Sequence, residues 1–248
     1  MSTITVEERG DVAILRLSNG VTNAIGPNLV ADLLGVLDMA EKAYRGLVLG
    51  GGTKFFSIGL NLPELLQFDR AAMDAFWDRF DAAVLKLCTM PLPTAAAIAG
   101  HATAGGTILA LACDYRFVAA GRNLMGLNEV RIGLPVPYLA DLMLRATVSE
   151  RTATRIVYRG ELIAPDQAET DGLIDAVCPA GELETHAVEV IDELSAHSQP
   201  AFGLIKKNRV AATRHEFEKR RATKKEEMLR CWFRPEVQEL LTEAALKF

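Results

Sequence analysis

Hydrophobic and polar residues alternate near the start of the chain and give way to a helical period further along. Ile4–Glu8 and Val12–Leu17 are β-branched, partly alternating runs separated by Arg9-Gly10-Asp11, which predicts an antiparallel hairpin. Pro27 stands at a first helical position, and Leu29, Val30, Leu33, Leu34 and Leu37 recur behind it at helical spacing. Gly46-Leu47-Val48-Leu49-Gly50 reads as the next strand. A helix opens at Asp69, carries Met73, Phe76, Phe80, Val84 and Leu87 on one face, and stops at Pro91 and Pro93. Thr94–Ala99 is a strand of small residues suited to burial on both faces, and Asp114–Ala120 is another, with a short helix over Ile108–Cys113 between them. From Pro135 onward the pattern predicts helices over 138–146, 149–158, 165–170, 182–196, 200–213, 216–230 and 235–246, with one strand at Leu173–Val177. The unit that repeats is a strand, a tight turn and a helix, and the fold class is α/β. Residues 1–195 form the expected core and 196–248 a helical C-terminal region.

Two of the turns carry candidate chemistry. Ala104-Gly105-Gly106-Thr107 separates a strand from a helix, so that bare backbone N–H groups stand at a helix start, where they have no partner within the helix. Ser57-Ile58-Gly59-Leu60-Asn61 is a second small-residue turn behind the strand at Gly46–Gly50, and Glu129 follows Gly126-Leu127-Asn128. Two N–H donors and one carboxylate suffice for proton chemistry next to a carbonyl. Taken alone, such a glycine turn serves equally well for close packing of a helix on a strand, and Glu129 for a cap or surface position. Gly100-His101-Ala102-Thr103-Ala104-Gly105-Gly106 lacks the lysine of a phosphate loop and does not fit G-x-G-x-x-G. His101 reads as a packed or solvent-facing histidine, and His186, His197 and His215 fall in helical, mostly polar stretches. No metal-ligand spacing appears, so no metal is inferred. Asp141 and Glu150 flank a turn that leads into the later helices.

With 248 residues, half of them hydrophobic and a net charge of -5, the chain offers no general attraction to nucleic acid or an anionic membrane. Cys88, Cys113, Cys178 and Cys231 lie far apart, the first residues lack the pattern of a signal peptide, and no apolar stretch reaches membrane-spanning length. Reduced thiols in a cytoplasm are therefore the expected setting. The segment Lys206–Arg230 departs from the acidic average with a local excess of six positive charges. It reads as a solvated helix face or, more sharply, as a docking face for phosphates.

Four segments in order carry a resemblance: Lys54–Leu65 with its Ser57-Ile58-Gly59-Leu60-Asn61 turn, Ala97–Gly106, Cys113-Asp114-Tyr115-Arg116, and Gly126–Pro135. With Ala164–Asp175 as a later match, the chain resembles the enoyl-CoA hydratase/isomerase (crotonase) superfamily over nearly its whole length. The resemblance implies a spiral of strand–strand–helix units with a C-terminal helical trimerisation region. It also implies an oxyanion hole made by the backbone N–H groups of Leu60 and Gly105, each donor being worth about 3 kcal/mol to a transition state. Ser57, Ile58, Gly59, Asn61, Ala104 and Asn128 become the expected substrate contacts.

In that family, members that hydrate enoyl-CoA hold a water between two glutamates. Glu129 occupies one of those positions, and Ile108 stands at the other. An isoleucine neither orients nor deprotonates water, which leaves one carboxylate. The motifs look most like those of 3,2-enoyl-CoA isomerases, in which one glutamate shuttles the proton; the residue after Leu60 is usually aspartate there and is Asn61 here. The expected function is therefore isomerisation of a 3-enoyl-CoA to the 2-enoyl-CoA with Glu129 as acid and base. The alternatives are a divergent hydratase or another crotonase-type lyase or hydrolase, or an acyl-CoA-binding protein without turnover. Coenzyme A enters as part of the substrate, with no separate cofactor, and is expected near Asn23-Ala24, the Ser57 turn and the C-terminal helices, its phosphates on Lys54, Lys206 or Lys207. Phe68, Met73, Phe76, Pro135, Val136 and Tyr138 are the expected acyl-pocket walls. The family's trimers and hexamers imply that Phe202, Leu204, Ile205, Phe217, Trp232 and Phe233 lie between subunits. Neither nucleic acid nor membrane is an expected partner.

Overall fold

The computed structural model describes residues 2–246. The hairpin expected at the start is present: β1 (Ile4–Arg9) and β2 (Val12–Leu17) pair antiparallel, with Arg9 opposite Val12 across the Gly10-Asp11 turn. α1 (Pro27–Ala43) then returns the chain to β3 (Gly46–Gly50), which lies parallel to β2. β5 (Thr94–Ile98), β7 (Tyr115–Ala119) and β9 (Ala176–Cys178) extend this six-stranded sheet in the order β1-β2-β3-β5-β7-β9, parallel from β2 onward. Its central strands carry buried residues on both faces, as a covered parallel sheet requires.

Between these strands the structure adds a second sheet that periodicity does not reveal. β4 (Phe55–Ser57), β6 (His101–Thr103) and β8 (Met125–Gly126) pair side by side and parallel. Each is two or three residues long, too short to show alternation, and each directly follows a strand of the large sheet in sequence. The repeat is thus strand, strand, helix: β3-β4 with α2 (Leu62–Leu65) and α3 (Arg70–Thr89), β5-β6 with α4 (Gly105–Leu111), and β7-β8 with a 3-10 turn over Glu129–Ile132 followed by α5 (Tyr138–Thr147). This is the spiral of strand–strand–helix units implied by the resemblance. Asp69 caps α3, its carboxylate accepting from the Ala72 N–H at 2.8 Å.

The later helices are α6 (Glu150–Arg159), α7 (Pro165–Thr170), α8 (Leu183–Ser195), α9 (Gln199–Trp232) and α10 (Pro235–Ala245). The strand read over Leu173–Val177 is confined to Ala176–Cys178, and the helical tail also departs from expectation. The two helices read over 200–213 and 216–230 are a single helix of 34 residues. Nothing at Arg214-His215 breaks it, since neither residue is Gly or Pro, and ion pairs at i,i+4 from Arg214 to Glu218 and from Glu216 to Arg220 bridge the supposed joint. Phe217 and Trp232, expected between subunits, are buried instead in the core of their own chain, whereas Leu204 and Ile205 are 59% and 62% exposed.

Most of the basic residues of α9 are already engaged. Arg221 and Lys225 pair with Asp78, Lys225 also with Asp74, Lys224 with Glu227, and Arg230 with Glu226. Lys206 is buried and donates to Asp114 at 2.7 Å and to the Leu92 carbonyl at 3.0 Å, so it ties α9 to the sheet and is not free for a phosphate. No helix among the described residues is long and apolar enough to cross a membrane.

Candidate active site

The three strands of the small sheet run parallel, so the segments leaving their carboxyl ends emerge along one edge. After β4 comes Ile58-Gly59-Leu60, after β6 come Ala104 and Gly105, and after β8 come Leu127-Asn128-Glu129. The short strands missed by sequence reasoning are therefore what gathers the site residues.

Leu60 is held as a single strand-like rung against Ile25. The Ile25 N–H donates to the Gly59 carbonyl at 2.7 Å and the Asn61 N–H donates to the Ile25 carbonyl at 2.9 Å. Both groups flanking Leu60 therefore point toward Ile25, and the pleat turns the Leu60 N–H to the opposite side. That N–H has no acceptor among the described residues, and neither has the N–H of Gly105, the first residue of α4.

The two turns touch. Gly59 adopts φ +102°, open to glycine, and a Cβ there would lie 3.1 Å from the Gly105 nitrogen. Ala104 adopts φ +47°, ψ -115°, an unusual conformation for a residue with a Cβ, and holds it at the entrance to α4. Side chains to which the sequence assigned no structural role fix this arrangement, among them Asn23, which is buried with its amide spent on backbone rather than open to coenzyme A. The Thr107 hydroxyl donates to the Ala102 carbonyl at 2.6 Å and accepts from the Gly126 N–H at 2.9 Å, joining β6, α4 and β8. The Thr103 hydroxyl donates to the Ile58 carbonyl at 2.8 Å and joins β6 to the Leu60 turn. The Asn23 amide reaches the carbonyls of Phe55 and Phe56 at 3.2 and 3.1 Å. Threonines inside a small-residue run were the available signal, since a buried hydroxyl requires a partner.

Leu60, Gly105 and Glu129 line one cavity of about 180 Å³. Ile58, Ala104 and Asn128 line it as well, with Trp77 and Phe80 from α3, Ile108 from α4, Met228 from α9 and Ala244 from α10. Gly59 lies behind it, packed on Ala104. Ser57 and Asn61 do not reach it. The buried Ser57 hydroxyl donates to the Asn23 carbonyl at 2.8 Å and accepts from the Gly59 N–H at 3.2 Å, and the Asn61 amide donates to Glu64 at 2.7 Å. Of the expected acyl walls, Pro135 lines this cavity; Val136 and Tyr138 line a neighbouring one, Phe68 and Phe76 a third site beside α1, and Met73 is sealed in the core. Asp141 lines the neighbouring cavity, while Glu150 pairs with Arg145 at the surface. His101 accepts from the Leu124 N–H at 3.0 Å through Nδ1, as a packed histidine.

Glu129 opens the 3-10 turn and is 5% exposed. Its Oε2 has no hydrogen-bond partner among the described residues. Burial among apolar side chains pushes its carboxyl up to about 7, opposed only by a hydrogen bond from its own backbone N–H. It is the one carboxylate lining the cavity among the described residues, and Ile108 lines the same space. The arrangement places a base of near-neutral pKa in a largely apolar cavity with two backbone donors unpaired among the described residues, which suits proton transfer next to a carbonyl whose oxygen gains charge.

The spiral α/β fold with these three loops at one sheet edge is that of the hydratase/isomerase enzymes. The family model for enoyl-CoA hydratase/isomerase matches residues 7–242, and the chain belongs to that family. It is 31% identical over 189 residues to human mitochondrial enoyl-CoA delta isomerase 1, the match covering 75% of this chain and 63% of that protein. It is also 31% identical over 206 residues to a putative enoyl-CoA hydratase of Thermus thermophilus, covering 80% of each. The crystal structure of human mitochondrial delta3-delta2-enoyl-CoA isomerase superposes with a TM-score of 0.95 at 27% identity, over 99% of this chain and 97% of that one.

Proposed function

We propose that the protein isomerises a 3-enoyl-CoA thioester to the 2-enoyl-CoA by a one-glutamate proton shuttle. The thioester carbonyl oxygen accepts from the N–H groups of Leu60 and Gly105. Glu129 takes a proton from C2; the electron pair of that C–H bond enters the conjugated system, and the resulting dienolate carries its charge on the oxygen between the two donors. The same carboxyl then returns the proton to C4, and the double bond lies between C2 and C3. Each donor contributes about 3 kcal/mol where charge develops. The raised pKa of Glu129 matches the requirement that one group both take and return a proton near neutral pH.

The observation that carries this reading is the solitary carboxylate. The two-carboxylate hydration of a 2-enoyl thioester needs a second acid beside the water, and Ile108 supplies none. The likeness to a human mitochondrial delta isomerase, in sequence and in structure, supports the same direction. The test is incubation of purified protein with 3-enoyl-CoA and 2-enoyl-CoA thioesters in heavy water, read by mass. Double-bond migration with deuterium incorporation is expected from the 3-enoyl substrate, and Glu129→Gln is expected to abolish it while retaining thioester binding. Exchange that persists in Glu129→Gln puts the base elsewhere, and net addition of water to the 2-enoyl thioester makes the protein a hydratase.

A further inference from the structure

The N–H of Gly105 and the carboxyl of Glu129 belong to different elements, α4 and the 3-10 turn that follows β8, so their separation depends on how α4 is held against β8. α4 reads Gly105-Gly106-Thr107-Ile108-Leu109-Ala110-Leu111, and Thr107 is its one polar side chain. It is 1% exposed and does not line the cavity of Glu129. A hydroxyl sealed in this way needs its partners inside the protein. It finds them on the edge of the small sheet.

β6 and β8 pair through Ala102 with Met125 and through Thr103 with Gly126. The Thr107 hydroxyl lies across the end of that pairing. It accepts from the Gly126 N–H at 2.9 Å and donates to the Ala102 carbonyl at 2.6 Å, with the Gly126 carbonyl as a second acceptor at 3.1 Å. Among the described residues no other side chain of α4 is hydrogen-bonded to β8. Thr107 stands two residues after Gly105, and Gly126 three before Glu129. The links between them are stiff. The Ile108 N–H donates to the Ala104 carbonyl at 3.0 Å, Leu127 is sealed in the core, and the N–H groups of Arg131 and Leu134 close the Glu129 turn on the carbonyls of Asn128 and Glu129, both at 3.0 Å. On its far side β8 is pinned as well: Met125 and Ile163 exchange N–H···O bonds at 3.0 and 2.7 Å, and a Cβ at Gly126 would strike the Glu161 carbonyl. A shift of α4 against β8 therefore passes directly into the distance between donor and base.

We propose that Thr107 is a positioning residue: without touching the substrate, its hydroxyl sets the separation of the Gly105 N–H from the Glu129 carboxyl and with it the rate of proton transfer at C2. The proposal rests on the one-glutamate shuttle and adds to it the group that keeps its oxyanion half and its base half in register.

Thr107→Val keeps the shape and removes the hydroxyl, whereas Thr107→Ser keeps the hydroxyl. The test follows deuterium incorporation from heavy water into a 3-enoyl-CoA across pH, with calorimetric binding of a saturated acyl-CoA thioester beside it. Thr107→Val is expected to lower kcat about ten- to a hundredfold, the scale of a misplacement of about 1 Å between reacting groups. KM, the affinity for the saturated thioester and the pH midpoint of kcat/KM near 7 are expected to hold, because Glu129 stays buried. Thr107→Ser is expected to recover most of kcat. A merely structural role gives another pattern, since water entering a loosened cavity returns the Glu129 carboxyl toward 4.5 and carries the pH midpoint down with it. Thr107→Cys supplies the comparison where Thr107→Val does not fold: a thiol is a weaker donor and acceptor than a hydroxyl, so kcat is expected clearly below that of Thr107→Ser. Unchanged kcat in Thr107→Val, equal losses in Thr107→Val and Thr107→Ser, equal kcat in Thr107→Ser and Thr107→Cys, or a midpoint that falls with kcat each overturns the proposal and leaves the shuttle standing. An intact protein that incorporates no deuterium overturns both.

Discussion

Gly106 packs directly on the backbone of Ser57: a Cβ at position 106 would lie 3.0 Å from the Ser57 carbonyl carbon and 3.1 Å from its Cβ, and closer still to the carbonyl oxygen. This contact sets how near α4 stands to β4, and with it the spacing between the N–H of Gly105 and that of Leu60. Gly106→Ala forces backbone apart at a site where no flexible side chain can yield. The expected result is loss of most proton exchange at C2, on the order of a hundredfold for one displaced donor, with a lowered melting temperature. Deuterium incorporation and a thermal melt measure the two effects separately.

Ala104 offers the opposite case. Its φ of +47° is costly for a residue with a Cβ, by roughly 1–3 kcal/mol. Glycine there relieves that cost and adds about 0.4–1 kcal/mol of unfolded-state entropy against it. Ala104→Gly is therefore expected to leave stability unchanged or raise it, read as the midpoint of urea unfolding. Alanine-to-glycine changes inside α4 at Ala110 should destabilise.

The buried carboxyl of Glu129 links activity and stability to pH. The base acts when deprotonated, so kcat/KM is expected to rise through about pH 7 and level off above it. Stability runs the other way. Below its unfolded-state pKa of 4.5 the group is protonated in both states and contributes nothing. Between 4.5 and about 7 the unfolded chain ionises while the native chain keeps its proton, so stability falls as pH rises; above about 7 the loss is complete. The full loss is about 3 kcal/mol at most. Asp81, also raised to about 7, adds a second contribution of the same sign. Melting temperatures across this range should fall less steeply in Glu129→Gln than in the parent protein.

Lys206 and Asp114 form a pair whose ammonium is buried and whose carboxylate is partly open to solvent. Lys206→Met removes the only cation on Asp114 among the described contacts and is expected to cost about 2–3 kcal/mol. Thioester affinity should change little. A large drop in CoA affinity with unchanged melting temperature would return Lys206 to the phosphate role read from the sequence.

Ile108→Glu tests the one-carboxylate reading from the other direction. It sets a second acid in the cavity of Glu129. The two carboxyls repel, so one of them should titrate above the range of the parent protein. Water addition to a 2-enoyl thioester, read by loss of conjugated absorbance, is expected to become measurable at the expense of isomerisation.

The large sheet and most helices were legible because their apolar residues repeat at a strand or helix period over five or more positions, as in α3 and β5. The small sheet was not: β8 is two residues long, and its hydrogen bonds depend on neighbours 20 or more residues away. The positions of Glu129, Leu60 and Gly105 came from motif order, yet their meeting in one cavity is a property of that unseen sheet. Ser57 and Asn61 show the limit of the same reasoning, since a polar residue within a motif was taken to face the substrate while its hydrogen bonds are spent on the turn itself.

Helix α9 measures about 50 Å at 1.5 Å per residue. Near one end Lys206 is bolted to the edge of β5 and β7, and near the other Met228 forms part of the ceiling above Glu129. A single stiff rod therefore spans from the sheet to the chamber. A backbone shift of the rod at Met228 is carried along α9 toward its anchor at Asp114, so one element bears both the wall of the chamber and a clamp on the sheet.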